Sequence, residues 1–259
     1  MELCPGGDLL AYVRKRRKIP ELQAKYIFKQ IMKGVAYLHR NLIVHRDIKL
    51  ENILLDGHGR VKIGDFGVSK KMEHRNEILF EQCGTPTYIA PEIVREHGYL
   101  GCPVDVWSSG VCLYAMIFGN VPFKQHENSS LSDGSSEIKV DFNGAISEEC
   151  KDLITGMLST NVKKRLTAEQ VLQHEWLKDT PALLDIFDEQ EKQLIRKEFN
   201  NGEDSEAVRN AEPEEAEQIK DELNTEFTEY SIESKATPSL LRNSSSRSVI
   251  FCPFNTVHK

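Results

Sequence analysis

Apolar residues recur at helical spacing in several stretches of the chain. Over 21–40 they fall three or four residues apart, which predicts an amphipathic helix. The range 104–118 is apolar nearly all round, which predicts a central buried helix. Serine and glycine interruptions make this reading better than a membrane span. Shorter helices are predicted over 148–158 and 167–174, the latter with Thr167 as its N-cap.

One short β-hairpin is predicted among these helices. Apolar residues 53–55 and 61–63 flank the Gly-rich turn 56–59, a pattern typical of a hairpin. Because the rest of the periodic sequence is helical, the chain is predicted to be mainly α.

The distribution of charge divides the chain near Pro181. Residues 180–259 hold 9 Lys+Arg against 17 Asp+Glu, a net charge of −8, out of −7 for all 259 residues. The part before them therefore has the nearly balanced charge of a folded surface. We interpret 1–178 as a folded domain and 179–259 as an acidic, partly helical and then Ser-rich tail that is partly disordered.

An apolar stripe lies within the first part of this tail, over 185–199. Its spacing predicts a helix that docks on the folded domain. The stripe consists of Ile186, Phe187, Leu194 and Ile195.

Cysteine usage and basic clusters bear on compartment and partners. The six cysteines are scattered without a CxxC pair, which favours a reducing compartment over a zinc site or a disulfide framework. We expect a cytoplasmic protein, with a nuclear location left open. The basic run at 14–18 ends a predicted surface helix, so a solvated face explains it better than nucleic-acid binding. No nucleic-acid or membrane partner is expected, and the oligomeric state is left open.

Three motifs follow one another between residues 43 and 92. They read IVHRDIKLENILLD, KIGDFG and CGTPTYIAPE. Asp65 of DFG lies eighteen residues after Asp47 of HRD, and APE begins twenty-five residues later. This ordered set resembles the catalytic domain of eukaryotic Ser/Thr protein kinases, specifically its C-terminal lobe. The likeness covers about residues 1–178 and implies a protein-kinase-like C-lobe with a small β-hairpin.

The resemblance implies transfer of the γ-phosphoryl group of ATP to protein Ser or Thr. Asp47 then accepts the proton of the substrate hydroxyl, and Lys49 neutralises charge on the transferring phosphoryl group. Asn52 and Asp65 supply oxygen ligands for Mg²⁺. Lys49 and Thr85 are typical of Ser/Thr rather than Tyr specificity, and the motifs look most like the calcium/calmodulin-dependent-type group.

Structural residues are also implied by the resemblance. Asp105 falls where the family buries an aspartate that accepts backbone N–H groups of the HRD loop. Glu92 and Arg165 fall where the family has a buried ion pair that fastens the APE segment.

The start of the chain, MELCPGGD, resembles the hinge between kinase lobes. By resemblance, backbone groups of Glu2 and Cys4 bond the adenine, Asp8 lies at the ribose and Leu54 forms the floor of the adenine pocket. Asp8 and Glu51 also occupy positions that meet basic residues preceding the substrate Ser or Thr.

The printed sequence contains neither a GxGxxG loop nor the strand lysine of the kinase N-terminal lobe. We therefore expect an N-lobe-deficient chain produced by a truncated gene model, since the catalytic residues are intact. A genuine fragment that acts as a catalytically inactive binding or regulatory module is the alternative.

Regulated relatives carry a phosphorylatable Thr two residues before the Cys of CGT, where this sequence has Glu81. We expect the Glu81 carboxylate to pair with Arg46 and Lys70 and so imitate a phosphate. The alternative is an exposed acid in a mobile loop.

Two further patterns depart from the usual kinase sequence. The Ser-rich segment 128–137 predicts an irregular helix where the family has an amphipathic one. In the tail, an Arg three residues before Ser245 resembles the substrate pattern of this kinase group, and a chance match within a Ser-rich tract is the alternative.

Overall fold

A computed structural model describes residues 3–95, 97–123, 140–142 and 144–203. These ranges contain eight α-helices and six short strands. The helices are α1 (Leu9–Arg16), α2 (Glu21–Arg40), α3 (Pro91–Arg95), α4 (Gly101–Phe118), α5 (Glu148–Met157), α6 (Ala168–Gln173), α7 (Glu175–Lys178) and α8 (Glu189–Glu203). The strands are β1 (Ile43–Val44), β2 (Ile53–Leu55), β3 (Val61–Ile63), β4 (Lys70–Lys71), β5 (Ile78–Leu79) and β6 (Tyr99–Leu100).

The described part is mainly helical with few short strands, which confirms the predicted fold class. Four predictions lie outside the described residues: the adenine contact of Glu2, the irregular helix at 128–137, the Ser-rich, disordered part of the tail and the substrate pattern at Ser245.

Helices α2 and α4 pack against each other and form the centre of the core. The predicted apolar face of α2 is buried, and its large side chains Phe28 and Ile31 are fully enclosed. Helix α4 is long and apolar enough to cross a membrane, but 83% of it is buried inside the fold. Its hydrophobicity therefore serves the core, as predicted. It ends at Gly119, where φ is +73° and a Cβ would lie 1.9 Å from the Arg17 carbonyl oxygen, so only glycine fits.

Side-chain caps begin five of the described helices, among them α1, α5 and α6. Asp8 caps α1 by accepting from the Ala11 N–H at 2.8 Å, and Ser147 caps α5. Thr167 forms a capping box with Gln170, as its position before the helix predicted.

The strands form three two-stranded antiparallel sheets rather than a single hairpin. The hairpin of β2 and β3 has the predicted bounds, with Ile53 opposite Ile63. The pairs β1–β4 and β5–β6 were missed. Both join segments about twenty or more residues apart, so no local turn pattern announces them.

The first part of the tail docks on the domain, as its stripe predicted. Ile186, Phe187 and Ile195 are at most 8% exposed. Leu194 was wrongly included, because it is 59% exposed on the outer side of α8. The helix also begins later than the predicted 185, since the Asp188 carboxylate accepts from the Glu191 N–H and caps the first turn.

Candidate active site

The loop that follows β1 is held by one buried carboxylate. Asp105, on α4, is 1% exposed. Its Oδ2 accepts from the His45 backbone N–H at 2.9 Å, and its Oδ1 accepts from the Arg46 backbone N–H at 2.8 Å. These bonds hold Arg46 at φ +67°, a conformation that a non-glycine residue keeps only when its surroundings impose it. Asp105 thus occupies the position that the sequence predicted.

Asp47, the next residue of this loop, receives a ring of hydrogen bonds. Its Oδ1 accepts from the Thr85 hydroxyl at 2.9 Å and from the Thr85 backbone N–H at 3.1 Å. The Lys49 Nζ lies 2.9 Å from both Asp47 Oδ2 and Thr85 Oγ1. Partial burial alone would raise the pKa of Asp47, but the hydrogen bonds from Lys49 and Thr85 outweigh it and lower that pKa. The carboxylate is therefore ionised and fixed in orientation near neutral pH.

Asn52 contacts Asp47 directly, and its backbone meets the segment that leads to Asp65. The Asn52 amide nitrogen donates to Asp47 Oδ2 at 3.2 Å and to the Asp47 backbone carbonyl at 2.9 Å. The amide oxygen of Asn52, its Oδ1, is therefore the atom left to coordinate a cation. The Gly64 N–H donates to the Asn52 backbone carbonyl at 2.8 Å, and Asp65 is the next residue after Gly64. Asp65 is itself held at φ +58°. An amide oxygen and a carboxylate are the donor types that suit Mg²⁺.

The DFG segment is further placed by His45. Its Nε2 lies 2.9 Å from the Gly64 carbonyl oxygen, and its ring meets the Phe66 ring edge-on at 4.8 Å between centroids. The two loops that carry Asp47 and Asp65 are therefore joined by buried polar and aromatic contacts.

The expected nucleotide-side residues lie along one edge of the hairpin. Asp8 forms an isolated antiparallel bridge with Leu54, and the Cys4 carbonyl accepts from the Gly7 N–H at 3.0 Å. The Asp8 carboxylate also caps α1, a structural role that the sequence reading missed. The contacts of Cys4, Asp8 and Leu54 with ATP stay predictions.

Glu81 pairs with only one of its two predicted cations. Its Oε2 lies 2.5 Å from Arg46 Nη1, while Lys70 pairs with Glu77 at 3.2 Å. The prediction of a Lys70 contact was wrong because Glu77 reaches back across the same loop. The hydrogen bond from Arg46, with a smaller contribution from the charge of Lys70, lowers the pKa of Glu81.

The predicted pair of Glu92 and Arg165 is enclosed in the fold. The two terminal guanidinium nitrogens of Arg165, Nη1 and Nη2, donate to the Glu92 carboxylate at 2.6 and 2.9 Å. The guanidinium also lies 4.9 Å from the centre of the Trp107 ring and donates to the Pro103 carbonyl. This bidentate pair ties α3 to the segment before α6.

The geometry around Asp47 agrees with the result of a comparison with known families. The model of the protein kinase domain matches residues 1–177. The chain belongs to the protein kinase family.

Curated Ser/Thr kinases resemble the same part of this kinase. NUAK family SNF1-like kinase 2 of Homo sapiens is 42% identical over 182 residues, which are 68% of this chain and 28% of that protein. Serine/threonine protein kinase OSK3 of Oryza sativa subsp. indica is 40% identical over 176 residues, 68% of this chain and 34% of that protein. The probable serine/threonine-protein kinase MARK-C of Dictyostelium discoideum is 39% identical over 176 residues, which are 68% of this chain and 23% of that protein.

The chain thus spans about a third or less of the length of these curated relatives. The recognition of a Ser/Thr protein kinase is confirmed, and the calcium/calmodulin-dependent-type group is consistent with the relatives.

Glu51 is half-buried beside the catalytic loop of this kinase. Its Oε2 is enclosed and has no hydrogen-bond partner among the described residues. Burial and the charges of Cys112 and Glu51 raise the pKa of the Tyr88 hydroxyl, so the carboxylate lies near that ring. A carboxylate in this state is suited to accept a cationic donor.

His39 is a site residue that the sequence reading missed. It is 2% exposed, and its Nε2 lies 2.9 Å from Asp105 Oδ2. Burial alone would lower the pKa of His39, but the hydrogen bond to Asp105 outweighs it and raises the pKa to about 9. The one signal in the sequence was a histidine at the end of the apolar face of α2, which is equally typical of a core position.

Proposed function

We propose that this kinase transfers the γ-phosphoryl group of ATP to Ser or Thr residues of proteins, with Mg²⁺ as its metal. The observation that carries the proposal is the arrangement of Lys49 and Thr85 on the Asp47 carboxylate. In-line phosphoryl transfer depends mainly on positioning and charge neutralisation, and this cluster supplies both.

Asp47 orients the substrate hydroxyl and accepts its proton as the bond to the γ-phosphorus forms and the bond from that phosphorus to the oxygen of the leaving ADP breaks. Lys49, within reach of the same oxygen atoms, neutralises charge that develops on the transferring group. Thr85, on the segment between DFG and APE, fixes Asp47 through its hydroxyl and backbone N–H. This arrangement favours a Ser or Thr hydroxyl over the longer Tyr side chain.

Asn52 and Asp65 are the residues that would hold Mg²⁺. When bound, the ion neutralises the phosphates of ATP and fixes their orientation. The support for this assignment is the donor set, because the Asn52 amide nitrogen is committed to Asp47 and its oxygen is left as the ligand atom.

The substrates we propose are proteins with basic residues before the Ser or Thr. The half-buried carboxylate of Glu51 beside the loop of Asp47 supports this, since an Arg side chain would supply it with a charge-assisted donor. Asp8 is the second proposed acceptor, and its Oδ2 is the oxygen that does not cap α1.

The test is transfer of labelled γ-phosphate from ATP to peptides. The chain is joined to the Gly-rich lobe of a relative and assayed on two peptides that differ only in a Ser or a Tyr acceptor, each with and without a preceding Arg. We expect transfer to Ser, strengthened roughly tenfold or more by the Arg, because a charge-assisted pair contributes on the order of 1.5–3 kcal/mol. No transfer by a folded chimaera that binds ATP would favour the alternative of an inactive binding module.

A further inference from the structure

The segment 184–195, which we call the latch, lies beyond residue 177, where the match to the kinase domain ends. It leaves the folded domain after α7 and returns to pack against the start of the chain. Within it, Ile186 and Phe187 are 3% and 8% exposed, so the latch is buried by contacts with the domain.

Two apolar side chains of the latch, Ile186 and Phe187, cover two glycines at the edge of the hairpin. A Cβ built on Gly6 would lie 2.7 Å from Phe187 Cζ, and one built on Gly59 would lie 2.8 Å from Ile186 Cγ1. Real Cβ atoms essentially never approach other atoms so closely. The two latch side chains therefore rest directly on backbone, and each glycine is needed for that approach.

Side chains of α1 bind the latch through hydrogen bonds, an aromatic contact and an ion pair. The Tyr12 hydroxyl donates to the Ile186 carbonyl at 2.6 Å, and the Tyr12 ring meets the Phe187 ring edge-on. Arg16 lies over the Tyr12 ring, with its guanidinium 3.7 Å from the ring centre, and donates to Glu191 at 2.5 Å. The basic run at 14–18 is thus not the wholly solvated face that the sequence predicted.

Glu191 joins the start of α8 to these cations. It receives Lys15 at 2.9 Å in addition to Arg16, and its Oε2 accepts from the Asp188 backbone N–H at 2.9 Å. Asp188 in turn accepts from the Glu191 N–H, which completes a reciprocal cap. Partial burial opposes ionisation of Glu191, but the hydrogen bonds from Arg16 and Lys15 outweigh it and lower its pKa to about 2.

The backbone under the latch is the backbone of the proposed nucleotide site. The Gly6 N–H donates to the Leu55 carbonyl at 3.0 Å, and the Leu55 N–H donates to the Gly7 carbonyl at 2.8 Å. One residue away on each strand, Asp8 is bridged to Leu54.

We propose that the latch is a positioning element for the nucleotide, which holds residues 4–8 in register with β2 so that the adenine and ribose contacts are preformed. Residues 6–8 and β2 form a backbone ladder, which we expect to bind ATP. This proposal therefore rests on the proposed function, which supplies ATP as the ligand. Loosening the latch raises the dissociation constant for ATP and leaves the Asp47 cluster, which has no contact with the latch among the described bonds, unchanged.

The first test is hydrogen exchange on the 259-residue chain. We expect Phe187→Ala and Glu191→Gln to raise exchange at residues 6–8 and 53–55 by about tenfold, since local opening there loses its cover. Exchange in the core of α2 is the internal reference and stays constant. Leu194→Ala, on the exposed side of the same helix, is the matched control and leaves exchange unchanged.

Equal exchange at the ladder in wild type and both latch variants would overturn the proposal. If Phe187→Ala raises exchange everywhere, it has unfolded the domain, and the milder Glu191→Gln decides the outcome.

The second test is calorimetric binding of ATP with Mg²⁺ to the chimaera described above. We expect Phe187→Ala to raise the dissociation constant for ATP by about tenfold, because the site must then be ordered on binding. ATP affinity that is unchanged by both Phe187→Ala and Glu191→Gln would overturn the proposed role of the latch and leave the proposed function standing. A chimaera that binds no ATP, with a normally protected ladder, would contradict the proposed function instead.

Discussion

The Arg46 guanidinium lies 2.5 Å from the Glu81 carboxylate. Arg46 belongs to the loop that carries Asp47, and Glu81 lies on the segment that carries Thr85. The same Arg46 donates through Nε to the Val68 carbonyl at 2.6 Å. One side chain therefore connects the catalytic loop with both ends of the segment between DFG and APE, and a constitutive carboxylate supplies its counter-charge.

We predict that Glu81→Gln lowers turnover of the active chimaera several-fold. The neutral amide loses the charge pair that orders this segment around Asp47, and a carboxylate carries about half the charge of the phosphate it imitates. Steady-state kinetics at saturating ATP measure the effect.

Glu77→Gln is the matched control for this substitution, because Glu77 lies on the same segment but pairs with Lys70 rather than with Arg46. We expect it to keep nearly full turnover. Equal turnover for Glu81→Gln and wild type would refute the phosphate-like role of Glu81.

Thr85→Val should lower kcat by roughly tenfold to a hundredfold, which is less than most of the roughly 10²–10⁴-fold that positioned proton transfer contributes, because Asp47 itself remains. The substitution preserves shape but removes the hydroxyl that donates to Asp47 at 2.9 Å. Loss of that bond should also raise the pKa of Asp47 and move the acidic limb of the pH–rate profile upward. Thr85→Ser retains the hydroxyl. A loss of activity in Thr85→Ser as severe as that in Thr85→Val would contradict the role of this hydroxyl.

His39 should make folding stability depend on pH. Its pKa is about 9 in the folded protein against 6.5 in the unfolded chain. A raised pKa stabilises the fold fully below pH 6.5, and that contribution is lost as pH rises toward 9. The shift corresponds to about 3 kcal/mol, at 1.36 kcal/mol per pKa unit.

Urea unfolding between pH 6 and 9.5 measures this dependence. We expect the wild-type free energy of unfolding to fall over the range and the slope to be much smaller in His39→Gln. Parallel curves for the two proteins would show that His39 is not charged in the fold.

The buried pair of Glu92 and Arg165 should show strong coupling. Arg165→Met leaves the Glu92 carboxylate without its partner, which we expect to cost about 3–5 kcal/mol of unfolding free energy. Glu92→Gln combined with Arg165→Met should cost clearly less than the sum of the single changes. Additive losses in this double-mutant cycle would mean that the pair contributes no interaction energy.

Local patterns were enough to predict the elements that bury one continuous face. The spacing of apolar residues predicted α2 and α4, and Thr167 marked the start of α6. The motifs named Asp47 and Thr85, which the fold brings into direct contact although they are 38 residues apart. Resemblance supplied that relation, since no periodicity encodes it.

Features set by tertiary contact could not be predicted from the sequence. The pairing of β1 with β4 depends on how two loops meet. Lys70 was assigned to Glu81 as one of two cations around a phosphate-like carboxylate, whereas in the fold it pairs with Glu77. His39 has no distinguishing pattern, because its partner Asp105 is 66 residues away.

The most direct test of the account is the effect of Asp47→Asn on phosphate transfer by the chimaera to a Ser peptide. Asn keeps the shape of the side chain and its contact with Thr85 but cannot accept the hydroxyl proton. We predict that transfer falls by roughly a hundredfold or more, while calorimetric ATP affinity changes little. Transfer by Asp47→Asn at a rate near that of the wild-type chimaera would contradict the assignment of this site as the phosphoryl-transfer centre.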